Sequence, residues 1–99
     1  MIHTVYFWLK EDLSSSEKNA FLEGLKTLKN VSSATYVHIG PPSSTRRPSI
    51  DPSYDYGLLT HFLTIKEHDE YQVDPIHKQF LQNCAQYWRK VQVYDFDEL

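Results

Sequence analysis

Residues Ile2–Leu9 (IHTVYFWL) are an unbroken run of β-branched, aromatic and aliphatic side chains, and this run constrains the fold more than any other. In an extended strand, successive side chains leave on opposite faces. His3, Val5, Phe7 and Leu9 then share one face, and Ile2, Thr4, Tyr6 and Trp8 share the other. Both faces carry bulk that water disfavours, so the strand requires cover from two sides. One layer of helices supplies only one of them.

The remaining elements follow from local signals. Ser14-Ser15-Ser16-Glu17 has the spacing of a capping box and predicts a helix that turns Phe21, Leu25 and Leu28 inward and stops near Asn30. Lys26 and Lys29 suit its negative end. A second strand is predicted over Ser33–Ile39, ending at Gly40. Residues 41–53 hold four of the five prolines and read as a long loop. The run Tyr54–Ile65 is the longest β-like stretch, with Tyr56, Leu58 and Phe62 set against Leu59, His61 and Leu63. A short helical turn around Lys66–Gln72 leads to a helix from Pro75 to about Arg89, whose Ile76, Phe80, Cys84, Tyr87 and Trp88 form one stripe. Val91–Phe96 closes the chain as a last strand.

This order predicts a single α+β domain over 1–99 with the ferredoxin-like βαββαβ arrangement: a four-stranded antiparallel sheet with both helices on one face. The other face, with Tyr6, Trp8, Leu59, Leu63 and Tyr94, would be an unusually large apolar patch for a monomer. A homodimer joined through that sheet face is therefore expected, its two sheets forming a dimeric α/β barrel.

With 10 basic and 13 acidic side chains the net charge is −3, which argues against a nucleic-acid surface. No apolar stretch reaches the length of a membrane span, and no export signal is expected, since no basic n-region and apolar h-region mark one. The single cysteine, Cys84, has no internal partner, so a cytoplasmic setting is expected.

The segment Tyr71-Gln72-Val73-Asp74-Pro75-Ile76-His77 is the strongest candidate for chemistry. Asp74 suits an N-cap and Pro75 the first helical position. His77 then lies in the first turn, where unpaired N–H groups and the dipole disfavour an imidazolium. A neutral imidazole accepts protons, and a tyrosine one turn earlier is placed to assist. The alternative is a capped helix start whose histidine and tyrosine merely close the edge of a core. No metal site is expected: His3, His38, His61, His68 and His77 show no paired ligand spacing, and Cys84 is alone on an apolar stripe. Alternation puts His3 and His61 on opposite sheet faces. Arg46 and Arg47 read as a solvated pair before an anion grip, and Asp95-Phe96-Asp97-Glu98 as a strand end running into solvent.

His3-x-Val5-x-Phe7-x-x-Lys10, the capped first helix, the long loop into Tyr54-Asp55-Tyr56, the run Tyr71…Asp74-Pro75-x-His77-x-x-Phe80 and the closing Val91-x-Val93-x-Asp95-Phe96 together resemble the stress-responsive A/B barrel (Dabb) family. The resemblance spans nearly the whole chain and implies a small dimeric α/β barrel. Similar plant proteins include a polyketide cyclase that closes its product by an aldol reaction without metal or organic cofactor. Carried over, its catalytic pair falls on Tyr71 and His77 and its first-strand histidine on His3. Pocket-lining positions fall on Val5, Phe7, Phe21, Tyr56, Leu58, Phe80, Val91 and Val93. Leu25 stands where the cyclase has a tyrosine, and Asp74 where the family usually has a histidine.

Three functions are thereby expected in order. The first is a cofactor-independent acid/base enzyme acting on a small aromatic or polyketide-like compound. The second is a non-catalytic ligand-binding or stress-related structural homodimer. The third is a cofactor-free monooxygenase, for which Trp8 and Trp88 are the available tryptophans.

Overall fold

The computed structural model describes residues 1–99 throughout. Its elements are β1 (Ile2–Leu9), α1 (Ser15–Thr27), β2 (Tyr36–Gly40), β3 (Tyr56–His61), α2 (Ile65–Val73), α3 (Pro75–Cys84) and β4 (Trp88–Phe96). Single 3₁₀ turns, Leu28–Asn30 and Ala85–Tyr87, extend α1 and α3. The four strands form one sheet in the order β2-β3-β1-β4, and every neighbouring pair is antiparallel. This is the ferredoxin-like arrangement that the order of elements predicts.

Register decides which side chains meet. Directly opposed residues share a face. Val5 lies opposite Leu58 and Val93, Phe7 opposite Tyr56 and Val91, and His3 opposite Thr60 and Asp95. The helices cover this face. Val5, Phe7, Leu9 and Leu58 pack there against Phe21, Leu25 and Leu28, with Tyr71, Phe80 and Cys84 completing the core. Thr4 and Tyr6 turn the opposite way with Tyr94 and Gln92, and Tyr94 is 59% exposed.

In α1, the Ser14 hydroxyl accepts from the Glu17 N–H and the Glu17 carboxylate accepts from the Ser14 N–H, closing the expected box. A cap of this kind contributes about 1 kcal/mol. Full burial of Phe21 or Leu25, both without exposed surface, contributes about 1.5–3 kcal/mol each. The cap fixes where α1 begins; packing holds it in place.

Five expected boundaries move. β2 starts at Tyr36 rather than Ser33, because a turn through Ala34 N–H to the Val31 carbonyl precedes it. β3 starts at Tyr56 because Asp55 is held across β1, its carboxylate accepting from the Leu9 N–H at 2.7 Å. It ends at His61 because Thr64 caps α2, accepting from the Glu67 N–H. The helix expected to reach Arg89 stops at Cys84, and Trp88 joins β4 opposite Leu9 across a bulge. Strand pairing to β1 overrides the helical spacing of Tyr87 and Trp88 there.

Gly24 of α1 lies against Cys84 and Phe80 of α3. A Cβ at this position would sit 2.3 Å from Cys84 Sγ, and Cys84 is itself buried. Gly24→Ala is expected to destabilise the fold by about 1–3 kcal/mol through overpacking, despite the better helix propensity of alanine. In urea titrations the double variant Gly24→Ala/Cys84→Ala should lose less than the sum of the two single changes. Strict additivity would remove the contact as the cause.

Candidate functional site

α2 places His68 and Tyr71 three residues apart, on one helical face. Asp74 ends α2 and caps α3, its carboxylate accepting from the Ile76 N–H at 2.8 Å, with Pro75 as the first helical residue. This junction carries His77 back beneath Tyr71, and the two ring centroids lie 4.6 Å apart. No hydrogen bond joins them. On the sheet side, His3 from β1 and Asp95 from β4 face each other in register, with Nδ1 2.5 Å from the carboxylate oxygen. The His3 ring lies 5.5 Å from His68 and 6.2 Å from Tyr71. His3, His68, Tyr71, His77 and Asp95 thus converge at one edge of the core from four elements.

His77 is 9% exposed, and its Nδ1 is buried without a well-formed hydrogen bond, although the Gln72 backbone lies near enough to the ring to favour its protonated form. Burial holds its pKa below the ordinary histidine value; the Gln72 backbone opposes the shift, His3 reinforces it, Asp74 opposes it and His68 adds a smaller push downward. The carboxylate of Asp74 acts in the direction its sequence position suggests, and burial outweighs it. Burial, and after it the Asp74 charge, raises the Tyr71 pKa far above the usual phenol value. Near neutral pH the pair is therefore a neutral imidazole against a neutral phenol. Such a pair is able to accept one proton and to donate one hydrogen bond.

The other expected site residues separate into two groups. Val5, Phe7, Phe21, Leu58 and Phe80 are buried together, with ring centroids 5.4 Å apart for Phe7 and Phe21 and 6.0 Å for Phe7 and Phe80. Tyr56 is half-buried, 6.0 Å from Phe21. These side chains fill the space beneath the helices as core. Val91 and Val93 share their sheet face and remain 41% and 43% exposed, since the helices leave the β4 margin open. A hollow of about 400 Å³ lies on the bare sheet face, bordered by Tyr6, Trp8 and Tyr94, and is lined by none of the expected pocket residues.

His68 and Asp95 belong to the cluster although their sequence contexts do not mark them. Asp95, expected to run into solvent, instead pairs with His3. Its alternation with Val91 and Val93 was the available signal, as was the three-residue spacing from His68 to Tyr71. Elsewhere, Arg46 donates to the Ser43 and Thr45 carbonyls and so braces its own loop. Burial pushes the Cys84 thiol pKa up, which leaves it a packing residue. Trp88 sits against Phe7 and Phe80, while Trp8 lies on the bare face under the Lys90 ammonium.

A ferredoxin-like sheet with this helix junction defines a class of small α+β barrel proteins. The stress-responsive A/B barrel domain family matches residues 1–98, and the chain belongs to that family. None of the curated proteins matches it by sequence. Among solved structures, it is similar to a Dabb family protein of ferredoxin-like fold from Mesorhizobium loti, at 26% identity and TM-score 0.78, covering 99% of this chain and 95% of that one. A dimeric ferredoxin-like protein of unknown function from Jannaschia sp. CCS1 superposes at 20% identity and TM-score 0.79, covering 98% and 97%. A hydroxynitrile lyase from Passiflora edulis superposes at 15% identity and TM-score 0.72, covering 99% and 94%. No helix of the chain is long and apolar enough to cross a membrane.

The depressed His77 pKa makes stability depend on pH. Between the ordinary histidine value of 6.5 and the lower folded value, the unfolded chain binds more protons than the folded one. Stability should fall as pH drops through that window and level off below it. Thermal melts at about pH 7.5 and about pH 5.5 should show a larger loss for the wild type than for His77→Gln. Equal losses would place His77 outside the titration that matters.

Proposed function

We propose that this protein is a cofactor-independent acid/base catalyst for a small carbonyl compound, with His77 as the proton acceptor and Tyr71 as the hydrogen-bond donor to the developing oxyanion. The observation that carries this reading is the buried, unpartnered Nδ1 of His77 against the Tyr71 ring. Buried polar groups without partners are scarce in native structures, and a functional role is one of the few reasons to keep one. Burial holds the imidazole neutral near neutral pH, the form that a general base requires. The fold also carries a hydroxynitrile lyase in Passiflora edulis, so its framework accommodates active sites in at least one other protein.

The packed rings of Phe7, Phe21 and Phe80 leave little space for an extended polyketide beneath the helices. A compact aromatic or apolar substrate, entering along the open β4 margin beside Val91 and Val93, fits the available surface better. In deuterium oxide, the wild type should accelerate exchange of the α-protons of small aryl ketones, followed by proton NMR. His77→Ala should abolish that acceleration, and Tyr71→Phe should slow it by about 10²–10⁴-fold with the fold retained. Undiminished exchange in His77→Ala would end the proposal.

The filled core favours a second reading, a non-catalytic homodimer in which Tyr71 and His77 are packing residues. Exchange no faster than buffer across the ketone panel would support it. Both readings share one assembly: two copies joined through the face that carries Tyr6, Trp8, Leu59 and Tyr94. Similar proteins from Jannaschia and Thermobifida fusca are described as dimeric. The unpaired, buried Cys84 suits a reducing compartment such as the cytoplasm. Light scattering at micromolar concentration should return twice the chain mass, and Tyr94→Lys should shift it toward the monomer. A monomeric wild type would refute the assembly.

A further inference from the structure

We propose that His3, His68 and Asp95 form a binding site for one divalent zinc-class ion. The three residues come from β1, α2 and β4, separated by 65 and 27 positions in the chain, so no ligand-pair spacing marks them as a set. In the folded protein one donor atom from each lies within 4.8 Å of the other two. Two imidazoles and one carboxylate are a borderline donor set that suits zinc and its neighbours. It is too rich in nitrogen for magnesium or calcium, which prefer all-oxygen sites.

The geometry needs only local adjustment. Zinc holds its ligands at about 2.0–2.2 Å, which places tetrahedral donors roughly 3.3 Å apart. His3 Nδ1 and the Asp95 carboxylate, now 2.5 Å apart, would open to admit the ion in place of their hydrogen bond. The more distant donors would close. His3 is the fixed member, with a side chain only 7% exposed, whereas the Asp95 side chain is 41% exposed and free to rotate. The His68 ring already has supports of the kind that orient ligating imidazoles. Asp69 contacts its Nδ1 at 3.2 Å and the Gln72 amide its Nε2 at 3.3 Å. With the ion on Nε2 in place of the Gln72 amide, the Nδ1–H keeps the Asp69 carboxylate as its acceptor. Three protein ligands leave the fourth tetrahedral position to water.

The site uses neither Tyr71 nor His77, so its test is independent of turnover. The full chain, stripped with chelator, is titrated with zinc by calorimetry and dialysed for metal analysis. One zinc per chain is expected, with a higher melting temperature in its presence. His68→Leu keeps the packing against Phe62 and should weaken binding at least tenfold while the metal-free melt stays near wild type. Asp95→Asn, which preserves side-chain shape, should weaken it similarly. His38→Ala, on the bare sheet face, should leave it unchanged. The proposal is overturned by absence of stoichiometric zinc, or by undiminished affinity in either the His68 or the Asp95 variant.

Discussion

The whole structure depends on β1 being paired along both edges. Its antiparallel partners, β3 and β4, fix which of its side chains point toward the helices. Once that register is set, Val5, Phe7 and Leu9 enter the core together, and a slip by one residue would expose all of them. The same register brings His3 to Asp95. Packing and site therefore share one origin, and neither is adjustable without the other.

The second constraint is the tight junction between α2 and α3. Asp74 serves both helices, ending one and capping the next, so the chain reverses with no spare residue. Tyr71 and His77 are driven into contact by this economy. The cost is a buried imidazole nitrogen left without a partner. In a region otherwise filled by interlocking aromatic rings, that unmet group stands out as the feature packing alone does not require.

Much of the architecture was legible because it rests on local chemistry. The Ser14–Glu17 box, the Asp74-Pro75 start and the alternation in Ile2–Leu9 each act within a few residues. The failures have a common cause. Tyr87 and Trp88 continue a helical stripe, yet hydrogen bonding to β1 draws Trp88 into β4. Asp55 looks like strand until its carboxylate is needed at the Leu9 N–H. In both places a distant partner outweighs a local preference.

The sequence by itself determined the element order, the helix caps and the two-faced first strand, since these follow from alternation, helical repeat and capping over short distances. Only the tertiary structure decided that Val5, Phe7, Phe21, Leu58 and Phe80 close into solid core, while Val91 and Val93 stay open at the margin. It alone brought His68 and Asp95 to His3. Volume and proximity between distant segments are set by how whole layers pack, and no spacing along a chain encodes that.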